Sequence, residues 1–147
     1  MNEADIYRVR VSAAILRAPG DLLVVRESKL ALSVVNLPGG APQLGETLED
    51  AAIREVREET GYDIITTAIA FVSERRSERW DSSALEICFY AEVITPVKHP
   101  PSHRDGIFAV EWLSLTHSEV RKHLPHASLF ESSKRGRYID QTPDVKG

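Results

Sequence analysis

The chain has 147 residues, of which 42% are apolar and 27% charged, and its formal net charge is −4 at neutral pH. That length suits one domain around a single core, and the composition is ordinary for a globular protein. The acidic balance excludes general nucleic-acid or anionic-membrane binding, which needs a basic face. It does not exclude a phosphorylated small molecule, because a bound cation can bring the positive charge.

Met1 to Arg10 is mixed in charge and lacks the apolar run of a secretory signal, so the cytoplasm is the expected compartment. Val9 to Leu16 is rich in β-formers, and Asp21 to Val25 follows after Ala18-Pro19-Gly20, which reads as a hairpin. Ser33 to Leu37 reads as a short strand, stopped by Pro38-Gly39-Gly40. The clearest helix runs from Leu48 to Thr60, with Thr47 as cap, Asp50 completing a capping-box pattern and Gly61 as the left-handed terminator. Strands are expected over Ile64 to Val72, Leu85 to Ile94 and Ile107 to Leu113, with a charged loop from Ser73 to Ser83. The single cysteine, Cys88, excludes an internal disulfide and reads as a small core residue within Ile87-Cys88-Phe89-Tyr90. A short helix is expected from His117 to Leu124 with Thr116 as cap. From Pro125 the chain turns polar, and Gly136 to Ile139 reads either as an edge strand or as a loose segment. No apolar stretch is long enough to span a bilayer. Mixed strands and two helices predict α/β layers around one sheet, with residues 1–140 as one domain and 141–147 as a flexible tail.

The chemistry concentrates on the first helix. Glu55, Glu58 and Glu59 are three and four residues apart, and at about 100° per residue they share one sector of the helix surface. Like charges so placed repel one another, and a divalent cation relieves that repulsion. A set of oxygen ligands alone selects a hard ion, Mg²⁺ or Mn²⁺, over zinc. Arg54 stands within reach of Glu58 and is expected to hold a glutamate in one rotamer. Ala51 and Ala52 are expected beside the carboxylate face, their small side chains admitting the preceding loop. Val56 and Ile53 are expected to anchor the helix to the sheet. Gly39 and Gly40 permit close backbone approach, so a carbonyl there can point at the same cation. Taken without its spacing, a Glu-rich helix is more often simply a solvated surface.

The spacing resembles a known family. The Nudix box reads G-x5-E-x7-R-E-U-x-E-E-x-G-U, with U a bulky aliphatic residue. Gly40, Glu46, Arg54, Glu55, Val56, Glu58, Glu59 and Gly61 all fall in register, and only the last position departs, being Tyr62. The order of strands around the box is also similar to the family's, so the likeness extends over most of the chain. The resemblance implies an α/β/α sandwich with a mixed sheet and a loop–helix–loop catalytic motif. It implies metal binding by Glu55, Glu58, Glu59 and the Gly39 carbonyl, and orientation of a glutamate by Arg54. Glu46 would be structural or would support the ligands, and Glu55 and Glu58 are both candidates to activate water. Tyr62 is expected to pack as Ile or Leu would. The implied activity is Mg²⁺-dependent cleavage of the diphosphate bond in a nucleoside diphosphate joined to another group. A nucleoside triphosphate, ADP-ribose or a nucleotide sugar would each qualify.

Residues outside the box are less determined. Asp105 is the candidate for a further acidic ligand, with Glu111 and Glu86 as rivals. Arg75, Arg76 and Arg79 are candidates for phosphate contacts and Trp80 for stacking on a base, although the interleaved glutamates also suit a solvated hairpin tip. The five histidines, His99, His103, His117, His123 and His126, show no zinc spacing. The rival function is a nucleotide-sensing module that keeps the fold without cutting. Degenerate glutamates would mark such a module, and the box here keeps them all. A homodimer is a possible assembly.

Overall fold

The computed structural model describes residues 6–76, 82–94, 99, 106–130 and 137–140. The chain runs β1 (Ile6–Arg17), β2 (Asp21–Lys29), β3 (Leu32–Asn36), β4 (Gly39–Gly40), α1 (Leu48–Thr60), β5 (Ile64–Arg76), β6 (Ser82–Val93), β7 (Ile107–Ser114), α2 (Ser118–His123), a 3-10 turn (Pro125–Phe130) and β8 (Arg137–Asp140). The sheet is mixed, with strand order β3-β2-β1-β6-β5-β8, β4 joined to β1 and β7 to β2. β1 pairs with β6 in parallel, as β5 does with β8, and the remaining pairs are antiparallel. This is the α/β architecture with a mixed sheet that the sequence predicts. Of the stretch that read as either edge strand or loose segment, Arg137 to Ile139 lies in an edge strand, with Tyr138 opposite Val72, and Gly136 lies outside the described residues.

Alternation along the strands divides the core into two sides. On one side Val11, Ile87 and Phe89 pack on Ala51 and Ala52 of α1, and Ala13, Ile15 and Leu23 pack on Val56. On the other, Ala14, Cys88, Tyr90 and Phe71 pack on Val120 of α2 and on Ala127 and Phe130 of the 3-10 turn. Cys88 is fully buried, as expected, and burial pushes its thiol pKa up. Among the described residues no helix is long and apolar enough to cross a membrane.

Several boundaries differ from expectation for physical reasons. Ser73 to Arg76 is strand rather than loop, because Ser73 pairs with Glu86 and Arg76 with Ser83 in the continuing β5–β6 hairpin. Helix α2 is capped by His117 and not Thr116: the His117 ring accepts the Glu119 N–H. The stretch after Pro125 is not simply polar chain but a turn that buries Ala127 and Phe130. Ala51 and Ala52 admit the sheet rather than the preceding loop, being fully buried against β1 and β6. Tyr62 packs as an apolar residue would, edge-on to Trp112 at 6.1 Å between ring centroids.

Candidate active site

Helix α1 is fixed at both ends. Thr47 Oγ1 accepts the Asp50 N–H at 3.1 Å, and Gly61 at φ 80° donates its N–H to the Arg57 carbonyl. A left-handed residue there is least strained as glycine. The buried residues Ala51, Ala52, Val56 and Thr60 turn one stripe to the sheet. The box glutamates stand beside that stripe, at the rim facing the glycine bend.

The bend needs its glycines. A Cβ on Gly39 would lie 2.1 Å from the Val11 carbonyl oxygen, and one on Gly40 would lie 2.6 Å from the Glu55 carboxyl carbon. The first clash is with backbone and excludes a side chain, whereas the second is with the end of the Glu55 side chain, which would have to move aside. β4 therefore lies flat on β1, with Gly39 opposite Ser12 and Gly40 opposite Val11, and Glu55 occupies the space that a side chain at position 40 would take.

Arg54 organises the cluster. Its Nε and Nη2 hold both oxygens of Glu46, at 3.1 and 2.7 Å, and Nη2 also reaches the Ala41 carbonyl at 3.2 Å. Nη1 donates to Glu55 at 3.0 Å and to Glu58 at 3.4 Å. Glu46 in turn accepts the Gln43 N–H at 2.7 Å, closing the loop before the helix. The Arg54 guanidinium holds the Glu46 carboxyl below its ordinary range. Arg54 thus does what was expected for one glutamate, and does it for three.

Glu59 takes a different position. Its Oε2 accepts the Gly39 N–H at 3.1 Å, and burial pushes its carboxyl up to about 8, against the pull of that hydrogen bond and of Arg10. The nearby Glu55 and Glu27 charges push the same way as burial.

Among the described residues, no group of three or more His, Cys, Asp or Glu side chains stands ready to hold a metal ion. The hydrogen bonds explain why: Glu55 and Glu58 lean on Arg54, and Glu59 leans on the Gly39 N–H. The donor chemistry nevertheless fits a hard cation. Three glutamates share a single arginine, a fourth, Glu59, stands at the Gly39 N–H, and every available donor is oxygen.

The other candidates separate. Arg79, Trp80, Asp105 and His103 lie outside the described residues. Arg75 lines a cavity of about 190 Å³ with Arg10, Ser73 and Glu86. Arg76, one residue along the strand, belongs to the other face by alternation. Glu111 is held by Arg26, 3.0 Å from its Nε, and Arg26 also grips both oxygens of Glu119 at 2.6 and 3.0 Å. Glu86 shares its face with Cys88 and Tyr90, opposite the side that carries α1, and accepts from Ser12 Oγ at 2.6 Å. Neither rival is brought to the box glutamates. His123 Nδ1 accepts the Val35 N–H, and His99 Nε2 lies 2.8 Å from Asp63.

Sequence reasoning missed Arg10 and Ser12. Arg10 donates to the Leu37 carbonyl at 2.7 Å, tying β1 to the approach of the glycine bend. The signal was the alternation Arg8, Arg10, Ser12, a polar face on a strand whose other face, Val9, Val11, Ala13, is apolar.

Comparison with known proteins places this geometry. A family model described as NUDIX domain matches residues 6–132. A putative 8-oxo-dGTP diphosphatase of Bacillus subtilis (strain 168) is 38% identical over 70 residues, 48% of this chain and 46% of that protein. An isopentenyl-diphosphate Delta-isomerase of Enterobacter sp. (strain 638) is 34% identical over 108 residues, 66% of this chain and 56% of that protein. The chain thus spans about half the length of these curated relatives. A solved NUDIX hydrolase from Nitrosomonas europaea superposes with a TM-score of 0.73 at 22% identity, over 89% of this chain and 93% of that one.

Proposed function

Because the chain belongs to the Nudix family, whose members act on small nucleotides, we propose that it is a Mg²⁺-dependent pyrophosphohydrolase. It would cleave the diphosphate bond of a nucleoside diphosphate linked to another moiety, with Mn²⁺ able to replace Mg²⁺. The observation that carries this reading is the excess of carboxylate around Arg54, packed against a bend where Gly39 lies too close to the Val11 carbonyl for any side chain.

Glu55, Glu58 and Glu59, with the Gly39 carbonyl, would hold the cation. Bound there, it would screen the phosphate oxygens and acidify a water. Arg54 would set the positions of Glu55 and Glu58 while giving its bidentate contact to Glu46. Glu59 is half-buried and its Oε2 already accepts the Gly39 N–H, which fixes it beside the bend as a ligand. Glu58 has the longest contact with Arg54, 3.4 Å, and keeps 26% of its side chain exposed. It is the carboxylate best placed to take a proton from water entering from solvent. Arg10 and Arg75, around one cavity, would meet phosphate oxygens.

The test is a panel of nucleoside triphosphates, 8-oxo-dGTP, ADP-ribose, dinucleoside polyphosphates, nucleotide sugars and isopentenyl diphosphate, with Mg²⁺. The readouts are release of phosphate and of nucleoside monophosphate. Metal-dependent release from at least one nucleotide is expected. Binding without release from any of them would replace the enzyme by a nucleotide-sensing module.

A further inference from the structure

On the face of the sheet away from α1 lies a second cavity, of about 110 Å³, between β6 and the Pro125–Phe130 turn. Asn36, Phe71, Glu86, His126 and Phe130 are among its walls. It starts at Leu37, two residues before the glycine bend, and shares Glu86 with the cavity that holds Arg10 and Arg75.

Its apolar lining combines Leu37, Leu124, Pro125 and Ala127 with the rings of Phe71 and Phe130. The Phe71 and Phe130 rings lie 6.2 Å apart at 16°, and the His126 ring lies 5.8 Å from that of Phe71. The polar walls have bonding capacity to spare. Among the described residues His126 Nε2 is buried with no hydrogen-bond partner. Glu86 receives the Ser12 hydroxyl on Oε2, the oxygen nearest Arg10 at 3.9 Å, and among the described residues Oε1 has no partner. Asn36 is by contrast satisfied, donating to Glu27 and accepting the Leu37 N–H. Buried polar atoms are seldom left unpaired in a native protein, so His126 Nε2 offers a bonding position to a water or a ligand, while the Glu86 carboxylate is a quarter exposed and open to a group entering from solvent.

We propose that this cavity takes the base of the substrate and that Glu86 selects a base presenting two adjacent N–H donors, as the N1 and N2 edge of guanine does. The proposal rests on the nucleotide reading above and deepens it. A carboxylate only accepts. Against guanine it meets N1–H and the N2 amino group side by side. Against adenine it meets one amino group and the N1 lone pair, which it repels. Ser12 is fully buried, so its hydroxyl fixes the plane of the Glu86 carboxylate before any ligand arrives. Guanine and 8-oxoguanine share this edge, so Glu86 would accept both and distinguish neither.

The test is metal-free titration of the full chain with GMP, IMP and AMP by calorimetry, repeated on Glu86→Gln with melting curves for both proteins. GMP is expected to bind about ten to a hundred times more tightly than AMP, the worth of one bidentate base contact. IMP, lacking the N2 amino group, should fall between them. Glu86→Gln should bring GMP and AMP close to equal affinity. Equal binding of the three nucleotides by the unaltered protein overturns the proposal without any variant. So does an unchanged GMP preference in a folded Glu86→Gln protein. Hydrolysis of nucleotides without guanine preference sinks this inference alone. Guanine preference without hydrolysis sinks the hydrolytic reading and leaves the base site standing.

Discussion

Two arginines in this molecule are each embraced by glutamates, and the difference between them separates a brace from the proposed metal site. Arg26 joins β2, β7 and α2. It holds both oxygens of Glu119 and one of Glu111, and the pairing raises its own pKa and lowers that of Glu119. Its donors and their acceptors match closely. Arg54 has the same fork and meets more acid than it can serve. Glu46 takes the bidentate contact, Glu55 and Glu58 each receive one bond from the remaining nitrogen, and Glu59 receives none. A matched cluster has finished its chemistry on folding. The unmatched one keeps carboxylate oxygens that Arg54 does not reach.

The sharpest way to break this comparison is to neutralise one glutamate in the unmatched cluster. Glu58→Gln is expected to reduce Mg²⁺-dependent turnover by about a hundredfold or more, with a melting temperature close to that of the parent. Turnover near the parent value would remove Glu58 from the chemistry. Gly40→Ala comes next. The added Cβ must displace the Glu55 carboxyl, so turnover should fall by about tenfold or more, a shift of a little over 1 kcal/mol in the barrier. A fully active Gly40→Ala protein would show that Glu55 does not need its observed position.

Arg26→Met tests the other side. It strands Glu111 and Glu119 without their shared cation, and the melting temperature should drop by a few degrees, about 2–4 °C per kcal/mol lost in a chain near this size. Turnover at a temperature where the variant is folded should be unaffected. A loss of activity there would mean that the two clusters are coupled.

The smallest expected effect concerns pH. The Glu59 carboxyl moves from its ordinary value of 4.5 to about 8 in the folded protein, chiefly by burial. Folding therefore favours its protonated form. That contribution is complete below about 4.5 and is lost as pH climbs through about 8. Metal-free protein should melt at progressively lower temperature from pH 6 to pH 9, and Glu59→Gln should flatten the curve. Parallel curves for the two proteins would remove Glu59 as the cause.

What could be read from the sequence was whatever local spacing determines. Helix α1, its Thr47 cap, its Gly61 terminator and the shared sector of Glu55, Glu58 and Glu59 all follow from periodicity and cap chemistry within a few turns. The glycine bend was legible as a need for close approach, although its partner, the Val11 carbonyl, was not. Long-range choices were hidden. Nothing near Ala51 and Ala52 says that the sheet, and not the loop, takes their space. The Pro125–Phe130 turn looks polar until Phe71 and Tyr90 are set beside Phe130. Glu86 looked like one more acid until β6 aligned it with Arg10 across a parallel pair.

That parallel pairing has a kinetic side. The strand that carries the glycine bend, β4, rests on β1, and β1 finds its other neighbour only in β6, where Val11 sits opposite Ile87. A growing chain can coil helix α1 early, since its contacts are local, but the floor beneath the bend stays half built until β6 has been synthesised and docked. Closing so distant a pair is slow compared with winding a helix. The acidic helix is therefore made before the platform that aims it, and catalytic competence should appear in one late step together with the fold.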